Sequence, residues 1–281
     1  MIERLGVKAI SPPKIGVSII LVMFAVLALF PIAFMAMGSL KQSSEFLRDP
    51  LALPRDWTFF DNYRAIWIRF DILRLFLNTV AYIALSSALS LAVSIPASFA
   101  IAKLDFPFRN LLRLMLIGTL IIPVITYIVP SYVMMANWGF AGNYKSVVLL
   151  WSATSVPGNV FLLSSLMRGI PNEILESAKI DGAGYFQTLG RIVIPLSLPG
   201  LITISIFNVT GWWNDLLVPL IFLQSDRQMT VTVGMATIVG RLSTNYPLLL
   251  AGLLVASIPP IVAYILLQRF IRQGLVIGAI K

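Results

Sequence analysis

Asp, Glu, Lys and Arg are absent from six long windows of the chain. Ile15–Leu40 lies between Lys14 and Lys41, Leu75–Ala102 between Arg74 and Lys103, and Leu114–Tyr144 between Arg113 and Lys145. Ser146–Met167 lies between Lys145 and Arg168, Ile192–Asn214 between Arg191 and Asp215, and Leu242–Gln268 between Arg241 and Arg269. Each window can supply the ~20 apolar residues that cross ~30 Å of hydrocarbon. Inside lipid every backbone N–H and C=O must be paired within its own segment, so the windows predict helices. Their apolar runs are continuous, which excludes the period-two alternation of an outer-membrane barrel. The predicted spans are Gly16–Gly38, Leu75–Phe99, Leu112–Met134, Val147–Met167, Ser197–Phe222 and Leu248–Gln268. The expected fold class is an all-α integral membrane protein with six transmembrane helices.

Pro96, Pro123, Pro130, Pro157, Pro219, Pro259 and Pro260 fall in or near these spans. A proline inside a soluble helix costs ~3 kcal/mol. In a bundle, neighbouring helices and hydroxyls re-satisfy the freed carbonyls, so ordinary kinks are expected. The first apolar stretch is longer than a cleaved signal's core and is read as an uncleaved first helix. Residues 1–14 form a cytoplasmic N-terminal segment and 15–281 one membrane domain. With both termini in the cytoplasm, that side carries Arg4, Lys8, Lys14, Lys103, Arg109, Arg113, Arg168, Lys179, Arg191, Arg269, Arg272 and Lys281. The outside carries Lys145, Arg227, Arg241 and six bases in the first outer loop, giving 12 inside against nine outside. The positive-inside rule favours this orientation. The first outer loop, Lys41 to Arg74, mixes its bases with Glu45, Asp49, Asp56, Asp61 and Asp71. Its apolar residues suit a segment folded on the membrane surface, with Trp57 and Trp67 as interface anchors.

Composition agrees with a lipid setting. The 281 residues are 58% hydrophobic and only 12% charged, against about 25% charged in soluble domains. The net charge of +9 comes from single bases between apolar runs. There is no basic stripe with interleaved aromatics, which argues against nucleic acid and for loops held beside anionic lipid. Cysteine and histidine are both absent. That removes disulfides, thiolate metal sites, the common near-neutral acid–base group and the commonest transition-metal ligand.

One segment between the fourth and fifth spans breaks the pattern. Residues 168–195 read RGIPNEILESAKIDGAGYFQTLGRIVIP. Pro171, Asn172 and Glu173 are helix-start residues, with Asn172 as the cap. Gly182 and Gly184 suit a helix C-terminus. The reading is a short helix over Asn172–Asp181, a Gly-Ala-Gly turn, and a second helical piece from Tyr185 into the fifth span. Ile174, Ala178 and Ile180 give it an apolar side, with Glu176 and Lys179 exposed; by itself this also describes a helix lying on the membrane. Glu176-Ser177-Ala178, then Gly182, then Ile192 to Pro195 resembles the signature loop of importer-type ABC permeases: Glu-Ala-Ala, three residues, Gly, nine residues, Ile-x-Leu-Pro. Ser177 replaces Ala and Ile194 replaces Leu, both conservatively. The stretches Asp181-Gly182-Ala183-Gly184, Trp213-Asn214-Asp215 with Pro219-Leu220, and the tail from Gln268 through Gly278-Ala279 to Lys281 resemble the maltose-type, carbohydrate subgroup. Length and layout are similar to the smaller permease of that pair.

The resemblance implies that Glu176, Ser177, Ala178, Asp181, Gly182, Ile192 and Pro195 belong to a coupling loop seated on a cytoplasmic ATPase subunit. It implies two such ATPases using ATP and Mg, a second homologous permease (a heterodimer in this subgroup), an extracytoplasmic solute-binding protein and a bacterial inner-membrane location. The solute would be a sugar or related polyol. No cofactor is expected on this chain, since no Gly-x-x-x-x-Gly-Lys motif occurs and no lysine follows a glycine. Covalent catalysis is not expected either. Asp215 is the ionisable residue deep in an apolar run. It reads as a functional carboxylate, or as a helix-end group with a partner such as Asn214, Asn208 or a neighbouring subunit. A single acid without internal repeats gives little to an ion-coupled secondary transporter, the rival reading. Sugars are held by aromatic faces and a few polar groups in largely apolar pockets. Asn208, Thr210, Trp212, Trp213 and Asn214 are candidates on the fifth span, with Asp215 beside them; Tyr127, Ser131 and Tyr132 are candidates on the third. Each is equally suited to burial against a partner helix.

Overall fold

The computed structural model describes residues 12–241 and 245–279. Arg4, Lys8 and Lys281, used above for orientation, lie outside the described residues. The chain divides into two compact units. One holds the residues up to Phe70 with Thr237–Ala256, and the other holds Asp71–Ala236 with the chain from Ser257 onward.

In the first unit, α1 (Pro12–Ser39) is a long apolar helix whose span from Gly16 is unburied in its most apolar window. Two short helices follow, α2 (Ser43–Arg48) and α3 (Asp61–Phe70). They belong to the Lys41–Arg74 loop, predicted to lie outside, which is internally pinned. The buried Lys41 ammonium donates to the carbonyls of Asp49 (3.1 Å) and Pro50 (3.0 Å). The Asn62 amide donates to the carbonyls of Ser39 (2.8 Å) and Lys41 (2.9 Å). A buried ammonium needs such acceptors to offset its lost hydration. Trp57 and Trp67 remain exposed.

The second unit begins with α4 (Ile72–Lys103), then α5 (Arg109–Thr119), α6 (Val124–Asn137) and α7 (Tyr144–Arg168). The helices α8 (Asn172–Ile180) and α9 (Tyr185–Thr188) lead through a π-turn, Leu189–Val193, into α10 (Ile194–Leu196) and α11 (Leu198–Asn214). After α12 (Leu217–Phe222), α13 (Val231–Arg241) and α14 (Tyr246–Ala279) each run across the boundary between units. No strand occurs among the described residues. Among the described residues, four helices are long and apolar enough to cross a bilayer alone, and the number reaches six if two bent pairs each count as one span.

Two predicted spans are corrected, one by a bent pair and one by the end of α11. Leu112–Met134 is not one helix: α5 and α6 meet at 101° across the break at Leu120–Pro123. Pro123 takes the cap position of α6, and a proline disfavours helical backbone in the residue before it. The predicted Ser197–Phe222 span also divides. The approach Tyr185–Leu196 meets α11 at 77°, and α11 ends at Asn214. Pro31, Pro96, Pro130, Pro157, Pro259 and Pro260 lie inside helices.

The core of the second unit is α4 packed along α7. Ser86, Ser90, Ser94 and Ser98 repeat at i+4 on α4 and are fully buried, and small residues let helix backbones approach closely in lipid. Near the chain's predicted outer end, Tyr82, Trp151, Trp212, Trp213 and Phe222 share one cluster. Near the predicted cytoplasmic end, Phe99, Leu163, Met167, Leu189, Val193 and Leu201 form another. Gly200 lies where a Cβ would meet the Leu166 side chain, so glycine permits the α11–α7 approach.

Candidate functional site

The elbow between α7 and α11 follows from local chain chemistry. Pro171 stands in the cap position of α8 with an extended ψ of 136°, which ends any continuation from α7. Asn172 is the first helical residue and does not cap α8 through its side chain. Its Oδ1 instead accepts from Lys103 Nζ at 2.8 Å. The helix ends in a Schellman motif. Ala183 N–H donates to Ala178 O (2.9 Å) and Gly182 N–H to Lys179 O (3.1 Å). Gly182 has φ +79°, where a side chain is strained and glycine is not. Asp181 is the exposed C-cap residue.

The faces of α8 differ from the sequence expectation. Ala178 is buried within the chain itself, while Ile174 and Ile180 are exposed, Ile180 at 86%. The small Ala178 therefore serves the chain's own packing, and the apolar side faces outward. Glu176 and Ser177 are exposed, with Ser177 Oγ donating to Glu173 O (2.8 Å). Across the turn, Phe186 is 81% exposed. Ile180 and Phe186 thus bracket Gly182 with two large apolar side chains. Ile192 is half-buried in the π-turn, and Pro195 is exposed in α10.

The α4 helix holds this elbow, which the sequence did not reveal. Lys103 Nζ donates to the carbonyls of Arg168 (3.2 Å) and Ile170, besides Asn172. These carbonyls lie at and just past the end of α7, where helix carbonyls lack internal donors. Tyr185 Oη donates to Pro96 O (3.0 Å), and its ring lies 5.1 Å from that of Phe99.

The second candidate region is the end of α11. Both Asp215 carboxylate oxygens are engaged. Trp151 Nε1 donates to Oδ2 at 2.7 Å, and the N–H groups of Leu217 (2.9 Å) and Val218 (3.3 Å) donate to Oδ1. Thr232 Oγ1 donates to the Asp215 carbonyl at 2.9 Å. Asp215 accepts from the first turn of α12 and from a buried indole; within the chain its side-chain partners are neither Asn214 nor Asn208. Trp212 stacks on Trp151 at 5.8 Å, and Trp213 lies 5.8 Å from Phe76. Both tryptophans are buried in the core cluster. Asn208 Nδ2 donates to Asn159 Oδ1 (3.1 Å), Asn159 Nδ2 to Ser90 Oγ (2.8 Å), and Ser90 pairs with Ser155 (2.7 Å). Tyr132 Oη accepts from Gln224 Nε2 (2.6 Å), Ser131 is buried and Tyr127 is half-buried. Toward the end of α11, Phe207, Thr210, Gly211 and Asn214 are exposed, with Asn214 Nδ2 donating to Thr210 O (2.8 Å). Phe207 and Thr210 also line an apolar groove of about 720 Å³ with Leu91 of α4 and Tyr264 of α14. Among the described residues no cluster of acidic groups could hold a metal ion.

Residues 94–276, which contain the whole elbow, match the family described as binding-protein-dependent transport system inner membrane component. The chain belongs to this family. Binding-protein-dependent permeases are membrane components of ATP-driven importers, in which the ATPase lies in separate subunits; this chain is a transport component and not an enzyme. It is 28% identical to the diacetylchitobiose uptake system permease protein NgcG of Streptomyces coelicolor, over 93% of this chain and 87% of that one. It is 29% identical to the arabinooligosaccharides transport system permease protein AraQ of Bacillus subtilis, covering 95% and 96% of the two chains. With the melibiose/raffinose/stachyose import permease protein MelC of the same organism identity is 33%, over 79% and 81%. In fold it is similar to a chain of a bacterial ABC transporter that imports the acidic polysaccharide alginate. The TM-score is 0.80 at 20% identity, covering 91% of this chain and 95% of that one.

Proposed function

We propose that this permease forms half of the translocation pathway for a sugar or related polyol, and that its elbow seats on a cytoplasmic ATPase. The observation that carries the reading is the pair of exposed apolar side chains, Ile180 and Phe186, around the Gly182 turn. Side chains this exposed, beside charged Glu176 and Asp181, suit a docking surface with an apolar centre and a polar rim. The carbohydrate class is supported by the relatives' own solutes and by the tail and Trp213-Asn214-Asp215 resemblances. The alginate transporter has been solved in complex with a pentasaccharide-bound periplasmic protein, and an external binding protein is the partner proposed here too. A second, homologous permease completes the pore, and two ATPases hydrolyse ATP with the help of Mg. The six spans cross an inner membrane with both termini in the cytoplasm. On this reading the pathway face of α11 is Phe207, Thr210 and Asn214, an aromatic surface with polar groups at helical spacing. Trp212, Trp213 and Asp215 support it from the core.

Reconstitution in proteoliposomes with the partner permease and ATPases tests this directly. Uptake of solute delivered by the binding protein should require ATP and all subunits. Uptake by this chain alone under a pH or sodium gradient would reject the proposal.

A further inference from the structure

The sequence suggests that the elbow passes its motion into the fifth span, because the two are adjacent in the chain. The geometry points to a different path: we propose that α4 receives the displacement of the elbow, with Lys103 and Tyr185 as its two positioning residues. This rests on the reading above that α8 meets an ATPase.

The route along the chain is soft. Between α8 and α11 lie a Schellman turn, a π-turn and a 77° break at Ser197, flanked by Pro195 and Pro199. Each interrupts the regular i→i−4 ladder, so the series is a compliant joint. The Ser197 hydroxyl at the break is buried without a hydrogen-bond partner, so its side chain adds no pin there.

The lateral route is stiffer. Lys103 holds the entry to α8 through three acceptors, Arg168 O, Ile170 O and Asn172 Oδ1. Tyr185 holds the exit by its hydroxyl on Pro96 O and its ring on Phe99. Both anchors lie on the last turns of α4, so the elbow is gripped on either side by one helix. That helix runs unbroken for 32 residues, about 48 Å at 1.5 Å per residue. A displacement at Lys103 is therefore carried toward the middle of the bundle. There Ser90 meets Asn159, and Asn159 meets Asn208 of α11. The fifth span is then moved through α4 and α7 rather than along its own backbone. A charge-assisted hydrogen bond is stronger than a neutral one, so Lys103 is the dominant anchor and Tyr185 the second.

The chain has no cysteine, so a single Leu91→Cys reporter on α4 reads the motion by maleimide labelling. The assembled transporter would be compared nucleotide-free and vanadate-trapped. The expected result is a labelling rate that changes about fivefold or more between the two states with wild-type anchors, within the usual range for coupled elements. Lys103→Met should bring that ratio close to unity while the ATPases still co-purify and hydrolyse ATP, and Lys103→Arg should restore most of it. Tyr185→Phe, which removes one hydroxyl, should reduce the ratio partially and carries the test if Lys103→Met fails to assemble. A wild-type ratio in Tyr185→Phe together with Lys103→Met, or in Tyr185→Phe alone where Lys103→Met does not assemble, overturns the proposal. Failure of the ATPases to co-purify with wild-type permease would instead reject the docking reading, and this inference with it.

Discussion

Gly182 and Asp215 show how single residues divide between device and support. Gly182 has open space around its Cα but a φ of +79°. A substitution there meets no clash and is strained only through its backbone, by roughly 1–2 kcal/mol. Gly182→Asp and Glu176→Lys should both abolish recovery of the ATPases in a detergent pull-down while membrane insertion is unchanged. Asp215 is different, since its carboxylate serves Trp151 and the first turn of α12. Asp215→Asn should cost about 1–3 kcal/mol, the penalty for weakening hydrogen bonds to buried donors, seen as a lower melting temperature of the purified complex. Transport per assembled complex should persist and stay independent of a pH gradient. The glycine's role was legible because positive φ has a sequence signature next to a helix end. The role of Asp215 was not, because its main partner, Trp151, is on another helix. Trp212 and Trp213 escaped for the same reason: an aromatic pair at the end of a span suits a sugar face and a core equally until the facing helix is known.

Helices lie within the charge-free windows, although two predicted spans are broken. Their continuity was harder to read. Seven prolines look alike in sequence, yet Pro96 and Pro157 sit inside unbroken helices while Pro123 marks a 101° break. What decides is whether neighbouring groups support the chain on either side, and that is a tertiary property. The serine series of α4 takes its meaning only from α7 beside it. Gly200 belongs to this scale as well. Gly200→Leu should drive α11 away from Leu166 and Leu163, with an overpacking cost of about 1–3 kcal/mol. Thermal unfolding followed in detergent should show it, and Gly200→Ala should be milder, since Leu166 can rotate its terminal methyl aside.

Across the whole molecule, the permease of the proposed function is a passive lever whose energy enters at one exposed point. Ile180 and Phe186 would be costly to leave in water, at roughly 25 cal/mol per Å² of apolar surface, unless a partner covers them. Their sidedness and their contact can be read together. In intact cells, Ile180→Cys in this naturally thiol-free chain would be challenged with a membrane-impermeant maleimide, then with a short bifunctional crosslinker in inverted vesicles. The expected result is protection from outside and a crosslinked adduct with the ATPase subunit. Labelling from the exterior, or vesicles that yield no adduct with any companion subunit, would contradict it.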